Sequence, residues 1–281
     1  MKKVFLILLF FISGIQIYSQ SIVATSDQIQ KFFTTKTLVV LENNPLCEYN
    51  FKIKEVVEKH WTITDYEFIS QSDFAKKMKD SEYSFLITSE VMFEKDKTGA
   101  VYNYLNLVLG GERTLTKMPD LCSVPLSYKD IDEEEYVYKL SAIVRFIQSH
   151  VKMTAQNPDL NSRNIINHYK KNAPEISSKT LYLIKDEIST DLNSVSKIHK
   201  YYEHNVKFVS REELEQAIDE ATENIIFLHK IGPGKKNKKA RCFKVIVGAD
   251  DSKLYYFDYH KINSKKTNSL LKSDLASLAK Q

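Results

Sequence analysis

The sequence predicts an α/β protein built from two tandem copies of one β-α-β-α-β-β-β-α unit, each a sandwich of helices on a mixed sheet. Three observations predict it. Blocks of the chain recur at near-constant spacing: "KTLVVLEN" from Lys36 and "KTLYLIKD" from Lys179 lie 143 residues apart, and "YEFISQSDFAKKM" from Tyr66 and "VKFVSREELEQAI" from Val206 lie 140 apart. "SFLIT" from Ser84 and "NIIFL" from Asn224 are again 140 apart, and Gly110 and Gly248, each closing an apolar run, are 138 apart. That period is far longer than a solenoid repeat, so it reads as two domains, 22–156 and 157–281. The second observation is that strand-like and helix-like apolar patterns follow the same order in both halves. The third is composition: 43% hydrophobic residues, with only 7 Gly and 6 Pro, can fill two cores.

Each unit opens on a short helix, "TSDQIQKFF" in the first and "NSRNIINHYKK" in the second, with Ser or Asn as the capping type of residue. A β-branched strand follows, Leu38 to Leu41 or Leu181 to Ile184. In the first unit Ile53, Val56, Val57, His60 and Trp61 then recur at spacings of three and four, one face of a helix. A second strand runs into a helix capped by Ser70 or Ser72 in the first unit and by Ser210 in the second. Glu213, three residues after Ser210, completes a capping box there. Three strands follow at 84–93, 101–109 and 121–127, and again at 224–231, 242–248 and 253–259, with "GADDSK" as a hairpin turn. A last helix closes each unit, striped by Tyr136, Leu140, Ile143, Ile147 and Val151 or by Leu271, Leu275 and Leu278. Right-handed crossovers make the early strands parallel and the late ones an antiparallel meander. A thioredoxin-like fold shares much of this element order and is the alternative assignment.

The chain begins "MKKVFLILLFFISGIQIYSQS". Two lysines, a short apolar run and a polar end form the pattern of a secretory signal peptide, residues 1–19, cleaved after Ser19, with an uncleaved amphipathic or membrane anchor as the alternative. It is similar to the short Phe/Leu-rich leaders of Bacteroidetes bacteria. The expectation is export to the periplasm or beyond, with no transmembrane segment left after cleavage. Without Lys2 and Lys3 the chain carries 38 basic and 36 acidic residues, too balanced for a nucleic-acid binder by bulk charge. The halves differ: residues 20–159 hold 16 basic and 21 acidic side chains, and 160–281 hold 22 and 15. Opposite charge predicts that they dock on each other, within one chain or across a homodimer.

Two local features are candidates for contact or chemistry. Lys235, Lys236, Lys238, Lys239 and Arg241 crowd one loop between strands. They read either as a grip on an anionic surface component or acidic partner, or as a solvated loop that blunts a sheet edge. The three cysteines are Cys47, Cys122 and Cys242, an odd number for an oxidising compartment. Cys47 and Cys122 share a unit, so a bridge between them is open, beside the reading of all three as buried apolar groups. The acidic run Asp130, Asp132, Glu133, Glu134 and Glu135 is expected to favour the dipole of the first unit's last helix.

"YEFISQSDFAKKM", "YSFLITSEVMF" and "YNYLNLVLGG" together resemble the N-terminal domain of TolB and its relatives, the curli secretion protein CsgG and the penicillin-binding-protein activator LpoB. "VKFVSREELEQAI" matches the charged helix start of that pattern, and Ser89 stands where its strand usually has glycine. The resemblance covers most of each unit and implies an envelope protein that binds other proteins or assembles a scaffold. It brings no catalytic residues.

Motifs for chemistry do not occur: there is no phosphate loop, no G-x-G-x-x-G, no H-E-x-x-H, no G-x-S-x-G and no C-x-x-C. The seven histidines stand at no metal-ligand spacing, although His199, Glu203 and His204 are close in sequence. The sequence therefore predicts no cofactor. It points to an exported, non-enzymatic protein with a binding or scaffold role towards an envelope protein. The alternative is a small-ligand binder or enzyme with its site in a cleft between the two units.

Overall fold

A computed structural model describes residues 16–18, 22–93, 98–160, 164–234 and 239–280, with the backbone alone at 16–18. The rest of the expected leader and most of the basic loop lie outside the described residues. The class expected from the sequence holds: helices pack on two mixed sheets.

The first unit runs β1 (Gln16–Tyr18), β2 (Ile22–Val23), α1 (Ser26–Phe32), β3 (Lys36–Val40), α2 (Glu48–His60), β4 (Tyr66–Ile69), α3 (Gln71–Lys77), β5 (Tyr83–Met92), β6 (Val101–Leu109), β7 (Pro119–Tyr128) and α4 (Leu140–Gln156). The second runs α5 (Ile165–Tyr169), β8 (Thr180–Leu183), α6 (Val195–Ile198), β9 (Val206–Phe208), α7 (Arg211–Asp219), β10 (Ile225–Ile231), β11 (Arg241–Gly248), β12 (Leu254–Lys261) and α8 (Lys272–Leu278). The first sheet has the order β2-β7-β6-β5-β3-β4, with β1 on β5, and the second has β12-β11-β10-β8-β9. In both, the first three strands after the lead-in helix are parallel and the last pairings antiparallel.

The period-2 pattern of the central strands sets the layers. Val39 and Leu86 face a core under α2 and α4, while Leu38, Val40, Phe85 and Ile87 face one under α3. The second sheet likewise buries Leu181, Leu183, Ile226 and Leu228 on the side of α6 and α8. Its opposite face, with Phe227, Phe243 and Val245, is covered by α7 and by Tyr102, Tyr128, Tyr138 and Ala142 of the first unit. The two units are thus joined through one shared apolar core.

Helix ends follow side-chain capping. Ser70 Oγ accepts from Asp73 N–H at 3.1 Å and Ser210 Oγ from Glu213 N–H at 3.2 Å. The expected capping box of α7 is half made, because Glu213 turns to Lys207, 2.5 Å away. The cap of α1 is Thr25 rather than Ser26, and its box with Gln28 is complete. The second unit departs from the first after its first strand: short 3₁₀ turns and the four-residue α6 stand where the thirteen-residue α2 stands. Its segment "STDLNSVS" competes for backbone hydrogen bonds and supports no long helix.

All three cysteine thiols are free and buried, so the Cys47–Cys122 bridge is not made. Cys47 precedes α2 at the sheet's end, whereas Cys122 lies within β7, paired with Leu107. Each fills apolar space in the first core, the bland reading of the two.

Candidate functional site

The adjacent parallel strands β3 and β4 send their chains to opposite faces, β3 into α2 and β4 into α3. Loops that diverge in this way open a crevice at the carboxyl ends of the strands, the usual ligand position in an open α/β sheet. Here that crevice, about 430 Å³, runs between Glu42 and Asn43 on one side and Ser70 and Gln71 on the other. It continues into a groove of about 860 Å³ along β5, floored by Tyr49, Ile87, Thr88 and Tyr136 and rimmed by Arg113 and Lys129.

The β3–α2 loop is held in place from the first turn of α2. Asn50 accepts from Glu42 N–H at 2.8 Å and donates to the carbonyls of Glu42 and Asn44, both at 2.9 Å. Thr88 Oγ1 donates to the Glu42 carboxylate. Cys47 is the residue before α2 and gives it no side-chain cap. Glu133 takes that role from another loop, accepting from Tyr49 N–H at 3.0 Å. A carboxylate suits the positive end of a helix. Glu133 therefore serves α2 and not the start of α4, against the expectation for the acidic run; Glu135 pairs with Arg211 of the second unit at 2.8 Å.

Two features of the groove stand out chemically. Among the described residues neither Glu42 nor Glu133 has a cationic partner. Tyr49, 1% exposed, is one of the residues lining the groove, and its buried hydroxyl has no hydrogen-bond partner among the described residues. Burial, reinforced by Glu42, pushes that phenol well above the usual tyrosine range, so it is a neutral donor. Burial also raises the Cys47 thiol, and Glu133 and Glu42 add to the effect. A thiol kept protonated is not an activated nucleophile.

The basic loop proves to be divided. Lys235, Lys236 and Lys238 lie outside the described residues, and Lys239 is exposed. Arg241 is not a loose loop cation: its guanidinium lies 4.0 Å from the centre of the Phe93 ring and 4.9 Å from that of Tyr259. The backbone N–H of Arg241 donates to Tyr102 Oη at 2.7 Å, so the residue belongs to the contact between units.

Rings and a backbone carbonyl meet at that contact. Tyr102 meets Phe243 edge-on at 5.3 Å, and His229 approaches the Pro125 carbonyl at 2.9 Å through Nε2. Rings and backbone pins also pack at this contact, where the sequence offers an alternative site. Arg145 on α4 donates to the carbonyls of Ile218, Ala249 and Asp250 at 2.8–3.0 Å. Lys52 reaches Asp219 at 2.9 Å and Glu215 at 3.2 Å. The halves do dock within one chain: Glu135–Arg211 follows their bulk charges, the Lys52 contacts run against them, and both border an apolar core.

One more buried ionic cluster is structural in position. Lys244, fully buried, lies 2.9 Å from His260 Nδ1 and 3.1 Å from Asp274, tying β11, β12 and α8 together. His260 Nε2 is 2.7 Å from the Thr267 carbonyl and so carries the proton, leaving Nδ1 to accept from the ammonium.

The groove escaped sequence reasoning because Glu42, Tyr49, Thr88 and Glu133 come from three distant segments and form no motif; of these only Glu133 was singled out, for another helix. Among the described residues no group of three or more metal-ligating side chains converges, and no helix is long and apolar enough to cross a membrane. No protein-family model matches the chain, and no curated protein or solved structure does either.

Proposed function

We propose that the mature chain is exported and acts as a non-enzymatic binding protein, holding a protein partner in the groove at the carboxyl ends of β3, β4 and β5. The leader-like start of the chain supports export. The observation that carries the binding reading is a groove lined by Tyr49, Glu42 and Glu133, whose buried hydroxyl and two carboxylates have, among the described residues, no hydrogen-bond partner and no cation respectively. An unsatisfied buried polar group costs free energy, and a partner that supplies the missing acceptor recovers it. The carboxylates favour a partner face rich in donors, such as backbone amides or a basic side chain. The protonated Cys47 thiol supports binding over covalent catalysis. The likeness to TolB-type domains points the same way, towards an envelope scaffold.

The test compares the wild type with a Glu42→Gln, Glu133→Gln double variant in the native host, after whole-cell cross-linking. Glutamine keeps an acceptor for Thr88 and Tyr49, so the fold survives. The reading expects one envelope protein captured by the wild type and lost, by roughly tenfold, from the variant. Equal capture by both places the contact elsewhere.

A further inference from the structure

Strand β5 is paired unequally on its two sides. On the inner side β6 accompanies it from Ser84 to Met92, but on the outer side β3 reaches only from Tyr83 to Leu86. There β3 ends at Val40 and the chain turns away towards α2. Beyond that point the partner on the outer edge, among the described residues, is β1, parallel and in register Gln16–Glu90, Ile17–Val91 and Tyr18–Met92. Yet β1 precedes Ser19, where the sequence expects the leader to be cut. Cleavage would remove this strand and leave the outer edge of β5 from Ile87 to Met92 without a strand partner among the described residues, opening into the groove.

We propose that this edge is a strand-accepting slot: the precursor fills it with its own residues 16–18, and the mature protein fills it with an extended segment of its partner, parallel to β5. The proposal rests on the binding reading above and names how the partner is held. Backbone pairing would supply the affinity and alternating side chains the selectivity, as in other cases of strand addition. Thr88 and Glu90 line the large groove with Glu42, while Val91 lines a smaller hollow of about 100 Å³ with Leu115 and Met118. Neighbouring strands in register share faces. The slot therefore selects a polar residue opposite Glu90 and an apolar one opposite Val91, the order that Gln16 and Ile17 carry. Until the leader is removed, the precursor cannot take its partner.

The test uses the mature chain, residues 20–281, isotope-labelled for NMR, and a synthetic peptide of residues 13–20 titrated to millimolar concentration. Its amide signals should move around Ile87–Met92, and the uncleaved chain should show no such shifts. In a pleated strand, alternate residues turn their N–H and C=O to opposite edges. Peptides N-methylated at Ile17, or at Gln16 and Tyr18, therefore separate strand addition from ordinary groove binding: one set should bind at least tenfold more weakly and the other as the parent does. No shift at millimolar peptide, or equal binding by both sets, overturns the slot. Partner loss in the Glu42→Gln, Glu133→Gln variant would still stand in that case, so failure of the slot and failure of the groove are told apart.

Discussion

Tyr49 shows how much of the site is fixed by single atoms. Its backbone N–H is capped by Glu133, its ring lies in the first core, and its hydroxyl alone lacks a partner. Tyr49→Phe removes that hydroxyl and keeps the ring. Stability should then stay level or rise by up to about 1 kcal/mol, because a buried unsatisfied group disappears. Partner capture should fall. Chemical denaturation beside the capture assay checks both; a clear loss of stability would mean that the hydroxyl is satisfied within the fold. None of this was legible in the sequence. Glu133 follows Tyr49 by 84 residues, and only the acidic run around it hinted at a role, which pointed to the wrong helix. Serine caps were legible, since Ser70 and Ser210 act within four residues of themselves.

Elements came through the sequence wherever their cause is local. The apolar runs in "KTLVV" and "SFLIT" marked β3 and β5 as strands, which lie between two cores, and the spacing of Ile53, Val56 and Val57 marked the buried face of α2. Gly110 and Gly248 both end their strands where a Cβ would not fit: one would lie 2.3 Å from the Asp80 carbonyl and the other 1.9 Å from Asp251. Their registers differ, however. Gly110 N–H donates to the Tyr83 carbonyl before the matched blocks begin, whereas Gly248 pairs with Ile226 within them. Matching by sequence offset does not see hydrogen-bond register. The role of α4 was equally hidden, because its polar side is used by another unit. Arg145 offers the carbonyls of Ile218, Ala249 and Asp250 three charge-assisted donors. Arg145→Ala should cost about 2–3 kcal/mol, by leaving part-buried carbonyls unpaired, and Arg145→Lys should recover only part of it. Urea unfolding measures both; an unchanged midpoint would show that Arg145 does not hold the units together.

At the scale of the molecule, the shared core makes the two units one stability problem, and buried histidines in and around it make that problem depend on pH. His229 is pushed down to about 3 by burial and the nearby Lys139 charge, and His150 to about 4 by burial. Burial and Lys244 lower His260 as well. All three are neutral when folded, while the unfolded chain takes up protons below about pH 6.5. Stability should therefore be level above pH 6.5 and fall below it, by up to about 1.4 kcal/mol per pH unit for each histidine, until the folded values are reached. Urea midpoints between pH 7.5 and 4.5 measure this slope, and His229→Gln should make it shallower. A midpoint that stays constant down to pH 4.5 would contradict the buried, neutral state of these rings.

The groove at the carboxyl edge of the first sheet is the face on which the functional reading depends. A photo-reactive residue placed at Asn103 or Arg113, beside the groove, and for comparison at the exposed Lys272 on α8, tests it in living cells. The account predicts one discrete cross-linked partner from the two groove positions and none from Lys272. The same adduct from all three positions, or an adduct from Lys272 alone, would contradict the groove as the binding site.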